Sequence, residues 1–166
     1  MARLLIDTEY SSINTYLMGS ALTIAVISDT HDYVPQNLIT AIEYADEIWH
    51  LGDICQKESL DRFRALPPDF QSVQGNCDPF GQSPHSLILE KFGTRFRLQH
   101  LPPEEPGASV DAVLFGHLHY PVNLKTEQGH MLNPGAINGP RNGSRSSFAW
   151  LSIQEKGSWD WQLEPI

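Results

Sequence analysis

The chain has 166 residues, with 20 Asp and Glu against 11 Lys and Arg, a formal net charge of -9, 40% hydrophobic and 19% charged residues. That composition fits one soluble globular domain with a sizeable core and argues against wholesale disorder. No Lys/Arg run exists to track a phosphate backbone, which argues against long nucleic acid as partner, and no stretch approaches the ~18 apolar residues of a membrane span.

The first residues, "MARLLIDTEYSSINTYLMGS", are interrupted by Asp7 and Glu9 and lack the basic-then-apolar order of a signal peptide. Residues 1–20 are therefore expected to be an N-terminal extension, with Met18 as an alternative start, ahead of a single domain over 21–166. The two cysteines, Cys55 and Cys77, match no familiar zinc spacing, and two thiols in a chain of this size fit a reducing compartment. Cytoplasm is the expectation.

"ALTIAVISD" (Ala21 to Asp29) is a nearly continuous apolar run, as expected of a strand buried on both faces. "PQNLITAIEYA" predicts a helix, with Pro35 at an early helical position and Leu38, Ile39, Ile42 and Ala45 on one face. "DEIWHLGD" predicts a second strand, "KESLDRFRAL" a second helix stopped by Pro67 and Pro68, and "FQSVQGN" a third strand. This alternation favours βαβ units. In the second half, "SLILEKFG" and "TRFRLQHL" read as a hairpin around Gly93-Thr94, and "DAVLFGH" as a further buried strand. "YPVNLKTEQGHMLNPG" reads as two strands joined at Gln128-Gly129, and the C-terminal segment as a hairpin around Lys156-Gly157. The whole predicts an α/β layered domain with a second, mainly antiparallel sheet.

Polar residues collect where these strands end. Asp29 and His31 follow the first, Asp53 the second and Asn76 the third; His100 ends "TRFRLQH", and His117 and His119 follow "AVLF". Each has a plain reading: Asp29 a turn former or helix cap, Asp53 a cap, Asn76 half of a Gly-Asn turn, His100 a partly buried histidine, H-x-H the polar end of a strand. Those readings would have to hold together, depositing two Asp, one Asn and four His at strand ends by accident. Open α/β sheets instead gather ligands at such ends. Imidazole mixed with carboxylate suits first-row divalent metals, and seven candidate ligands are too many for one tetrahedral ion. They suit two ions about 3.5–4 Å apart sharing a carboxylate.

The ordered set "SDTHD", "LGDI", "GNCD", a lone His and "GHLH" resembles the calcineurin-like metallophosphoesterases, and within them the small bacterial and archaeal phosphodiesterases. The resemblance runs from about Leu22 to near the C-terminus and includes "LNPGAINGPR". It implies a layered β-sandwich of mixed sheets flanked by helices. It implies that Asp29, His31 and His119 hold one divalent metal, that Asn76, His100 and His117 hold another, and that Asp53 bridges them. Manganese is the first choice, with iron, zinc or nickel as alternatives, and a water or hydroxide between the metals would attack a small phosphodiester. Asn76, Cys77 and Asp78 are the candidate catalytic residues, and Arg141 is a candidate phosphate clamp or else a solvated loop arginine.

Three departures from the family pattern carry expectations. Cys77 stands where the wider superfamily has a histidine that protonates the leaving group. A thiol of pKa ~8.5 is the poorer proton donor, so esters with good leaving groups are favoured unless Asp78 or a water serves. His100 is followed by Leu101-Pro102-Pro103 where relatives have His-Gly, and the stretch to His117 is too short and proline-rich for their helix. Uncovered apolar surface there would favour homo-oligomerisation. The third departure is the N-terminal extension. The alternatives kept open are a protein-interaction scaffold, as in one eukaryotic trafficking subunit of similar fold, and a phosphomonoesterase or nucleotide pyrophosphatase.

Overall fold

β1 (Leu22–Ile27) alternates its aliphatic side chains between two faces, and both are buried because it lies in the middle of a sheet. A computed structural model describes residues 22–79, 81–107 and 109–166; the extension expected at residues 1–20 lies outside them. β2 (Glu47–His50) and β3 (Asp69–Ser72) pair parallel beyond β1, whereas β9 (Ser147–Ile153) and β10 (Trp159–Pro165) pair antiparallel on its other side. The first sheet thus runs β10-β9-β1-β2-β3.

Two helices form the crossovers. α1 (Gln36–Ile42) buries Leu38 and Ile42, and α2 (Lys57–Arg64) buries Leu60 and Phe63, spacings that keep one helical face inward. Pro35 stands one residue outside α1 as its N-cap, with ψ 149°, rather than inside the first turn. Its carbonyl accepts the N–H groups of Leu38 and Ile39, a task that needs no N–H of its own. In α2, Glu58 in the first turn and Arg62 and Arg64 in the last complement the helix dipole.

The second sheet has the order β4-β5-β6-β8-β7, from β4 (Ser86–Lys91), β5 (Thr94–Gln99), β6 (Ala112–Leu114), β7 (Pro121–Thr126) and β8 (Gly129–Pro134). It is mixed rather than mainly antiparallel, because β6 pairs parallel with both β5 and β8. Tight turns announce the hairpins, but β6 is entered and left through loops that reveal nothing about direction. The first hairpin turns on Phe92 and Gly93, both at positive φ, and Thr94 already pairs with Lys91.

The sheets pack face to face over Ile24, Val26, Trp49, Leu51, Phe96, Leu98, Leu114 and Leu132. The helices cover the other face of the first sheet through Ala25, Ile27, Leu38, Ile42, Ile48 and Phe63. Among the described residues no helix lies between His100 and His117. On the outer face of the second sheet Ile88, Arg97, Val113, Met131 and Leu124 align in one row. Arg97 donates to the Pro106 carbonyl, drawing the proline-rich loop towards this row, where Val113 is fully buried and Ile88 and Leu124 stay exposed. The carboxyl ends of β1, β2, β3, β5 and β6 meet at one rim.

Candidate metal centre

At that rim the chain is bent into conformations side chains rarely adopt. Asp29, His31, Asp32, Asp53, Cys55, His117 and His119 all have positive φ, between 42° and 77°. Asp and His are among the few types enriched in the left-handed region, yet each still costs about 1–2 kcal/mol there. Backbone bonds between loops hold the bends: Asp29 N–H to Gly52 O, His31 N–H to Asp53 O, Asp32 N–H to Ile54 O, and Gly116 N–H to His100 O. The loops touch so closely that a Cβ on Gly75 would lie 2.1 Å from Asp53 Oδ1, and one on Gly116 would lie 2.0 Å from Ser28 Oγ.

The result is a convergence of donor atoms. His119 Nε2 lies 3.2 Å from Asp29 Oδ1 and 3.3 Å from His31 Nε2, which is 3.6 Å from Asp53 Oδ2. On the other side, Asn76 Oδ1 is 2.9 Å from both His100 Nε2 and His117 Nδ1, and His100 Nε2 is 3.5 Å from Asp53 Oδ1. Asp53 faces one group with one oxygen and the other group with the second. All seven residues expected from the sequence as ligands are brought together.

A cation fits this arrangement. Carbonyl oxygens only accept, so His119 Nδ1, 2.8 Å from Gly139 O, must carry its proton, and so must His100 Nδ1, 2.8 Å from Leu51 O. In each neutral ring Nε2 is then a lone pair, and it faces oxygen: Asp29 Oδ1 for His119, Asn76 Oδ1 and Asp53 Oδ1 for His100. Ser28 Oγ–H and the His117 N–H both donate to Asp29 Oδ2, while the buried Oδ1 has no hydrogen-bond partner. Lone pairs aimed at one another ask for a positive charge between them. Burial opposes the charged form of His100, but the hydrogen bond and charge of Asp53 prevail and raise its pKa. Burial likewise opposes ionisation of Asp53, yet His100 and the Cys77 N–H hold its carboxyl well below the usual range.

The remaining sequence candidates fall around this centre. Asp78 does not present a free carboxyl: Oδ2 accepts the N–H groups of Asp53 and Gly75, and Oδ1 accepts that of Cys55. Geometry makes it an acceptor that clamps two loops, beside which the proton-donor role left open for it would need one of these three bonds to be given up. Cys77 is exposed beside Asn76, and burial of its thiol together with the Asp53 charge pushes its pKa up. Arg141 has its backbone N–H on the His119 carbonyl and an exposed side chain. Two residues were missed by sequence reasoning. Asn133, in "LNPG", donates from Nδ2 to Gly116 O and so supports the His117 loop. His50, buried in β2, links Thr30 Oγ1 at 3.1 Å to the N–H of Gly52 at 3.2 Å.

The family model described as the calcineurin-like phosphoesterase superfamily domain matches residues 22–156. The chain belongs to that superfamily. A probable metallophosphoesterase of Methanocaldococcus jannaschii is 30% identical over 161 residues, covering 85% of this chain and 81% of that protein. Among solved structures, Vps29 of Chaetomium thermophilum is similar with a TM-score of 0.71 at 19% identity, over 88% of this chain and 97% of that one. An archaeal phosphodiesterase is similar with a TM-score of 0.68 at 20% identity, over 86% and 100%. At such identities these two show the fold alone. Membership fits a metal-dependent phosphoesterase, and among the described residues no helix is long and apolar enough to cross a membrane.

Proposed function

We propose that this protein hydrolyses small phosphodiesters at a two-cation centre, with Asp29, His31 and His119 on one cation, Asn76, His100 and His117 on the other, and Asp53 on both. The observation that carries the reading is the division of the Asp53 oxygens between two groups of converging donors. Oxygen and imidazole donors suit first-row divalent ions, and among these manganese is the first choice that the family resemblance implies. Such ions supply Lewis acidity and a water of pKa near 7.

The chain's own groups orient and screen. Asn76, exposed at the mouth, and Arg141, on the loop bonded to His119, are set to meet phosphate oxygens; guanidinium offers planar paired donors for them. Cys77 holds the position beside Asn76 from which a leaving group would be protonated, and a raised thiol pKa makes it a weak donor. Esters that leave without help are therefore preferred. Net charge of -9 disfavours polymers with many phosphates and leaves small esters as substrates.

The test is metal analysis of purified protein together with hydrolysis of an aryl phosphodiester and the matching aryl phosphomonoester, with and without Mn²⁺. About two cations per chain and faster diester turnover are expected. Stoichiometric metal without turnover on either ester would overturn the enzymatic reading and favour a role through protein contacts. Faster monoester turnover would overturn the substrate class alone.

A further inference from the structure

A second cluster of metal-binding atoms adjoins the centre, made by the sulfur atoms of Cys55 and Cys77 and a ring nitrogen of His31. Cys55 lies two residues past Asp53 and Cys77 one past Asn76, and their sulfur atoms and a His31 ring nitrogen all lie within 4.8 Å of one another. Cys55 Sγ is 3.5 Å from His31 Nδ1, the nitrogen turned away from the cation cage. Bonds of about 2.3 Å to sulfur and 2.0–2.1 Å to nitrogen around a tetrahedral ion put S and N about 3.6 Å apart and two S atoms about 3.8 Å apart. The three atoms thus need only small rotations to close on one ion.

The framework is already assembled without the thiols. Asp78 ties the two cysteine loops together through the N–H groups of Asp53, Cys55 and Gly75, and the Cys77 N–H is anchored on Asp53 Oδ1 at 2.8 Å. Cys77 is exposed and Cys55 half-buried, so an ion reaches them from solvent and keeps a fourth position open. Two thiolates balance a divalent charge, and sulfur donors select d¹⁰ cations that oxygen-rich sites hold less well.

We propose that Cys55, Cys77 and His31 Nδ1 form a separate binding site for a thiophilic divalent cation, Zn²⁺ or Cd²⁺, next to the phosphoesterase centre. Of its three ligands only His31 also serves the cage; a neutral imidazole offers one lone pair, so the ring binds both ions only after its N–H proton has passed to solvent, and this proton couples the occupant to the cage. The proposal rests on the cage reading for that coupling and not for the binding itself.

Cadmium is the probe, because thiolate-bound Cd²⁺ absorbs in the near ultraviolet and cage-bound Cd²⁺ does not. The reduced, chelator-treated full chain is titrated with Cd²⁺, and thiols are counted with an aromatic disulfide before and after. A band saturating at one ion per chain, with both thiols protected, is expected. Cys55→Ser should cut the band to that of a single thiolate and expose Cys77. His119→Ala, which alters the cage and none of the three ligands, should keep the band in full. Loss of activity in His119→Ala with the band retained would thus separate failure of the cage from failure of this site. The proposal is overturned if wild-type protein with two reactive thiols shows no band in excess Cd²⁺, if Cys55→Ser keeps the full band, or if native protein carries a Cys55–Cys77 disulfide.

Discussion

His50 should make this fold acid-sensitive in a way one substitution removes. Its ring is fully buried at the end of β2, edge-on to Phe63. The Gly52 N–H donates to Nδ1, so that nitrogen holds a lone pair, and Nε2–H is left to donate to Thr30 Oγ1. A second proton would have to sit against the Gly52 N–H. Burial, joined by the neighbouring His100, lowers the His50 pKa from 6.5 to about 3, with Asp53 pulling the other way. The unfolded chain therefore binds more protons than the folded one between pH 6.5 and about 3, and across that window stability falls as pH falls. At 1.36 kcal/mol per unit over the ~1.5 units from 6.5 to 5, acidification from pH 7 to 5 costs about 2 kcal/mol at this one group. Denaturant titrations of wild type and His50→Gln, both with chelator, at pH 7 and pH 5 isolate it, since every other titrating group contributes to both proteins. Wild type should lose about 2 kcal/mol more than the variant. Equal losses would refute the claim that a neutral imidazole is locked between Thr30 and Gly52.

Asp53→Ala should abolish turnover and lower the content of both cations, read by metal analysis alongside circular dichroism; retained turnover is irreconcilable with a bridging carboxylate. For wild type, log rate should depend steeply on leaving-group pKa across aryl phosphodiesters, and Cys77→His should flatten the slope by supplying a better proton donor. A flat wild-type slope would show that another acid is present. Gly116→Ala should lower stability by about 1–3 kcal/mol through overpacking, because its Cβ meets Ser28 Oγ at 2.0 Å and Asp29 Oδ2 at 2.9 Å. Its metal affinity should fall with the denaturation midpoint.

Apolar runs and their turns made the strands and helices legible, and the residue types at strand ends made the cage legible. What stayed hidden is what depends on contact between loops. Gly75 reads as half of a turn dipeptide, but its missing Cβ is what lets Asp53 approach. No pattern along a chain says which loop comes near a glycine. Asp78 looked like a spare acid for the same reason, since its three N–H donors arrive from residues up to 25 positions away. His50 sits in an apolar strand where a histidine gives no sign of its partners, and those partners lie on the two loops that carry His31 and Asp53. The direction of β6 was hidden because it is decided by sheet pairing beyond its own loops.

These hidden contacts account for how a strained rim persists. Seven side-chain-bearing residues in the left-handed region, at about 1–2 kcal/mol each, would unwind if each loop stood alone. They do not stand alone, because the N–H groups of Asp29, His31 and Asp32 bond to the successive carbonyls of Gly52, Asp53 and Ile54, and Asn138 N–H bonds to Asp29 O from the segment before β9. The same carbonyl framework sets the chemistry. Leu51 O and Gly139 O each accept a hydrogen bond from the Nδ1–H of a histidine, which leaves the Nε2 lone pair of the neutral ring pointing at the centre. The donors are thus oriented before any cation arrives. The cost the backbone bonds offset is the strain of holding lone pairs face to face, and relief of that repulsion is what a bound cation gains.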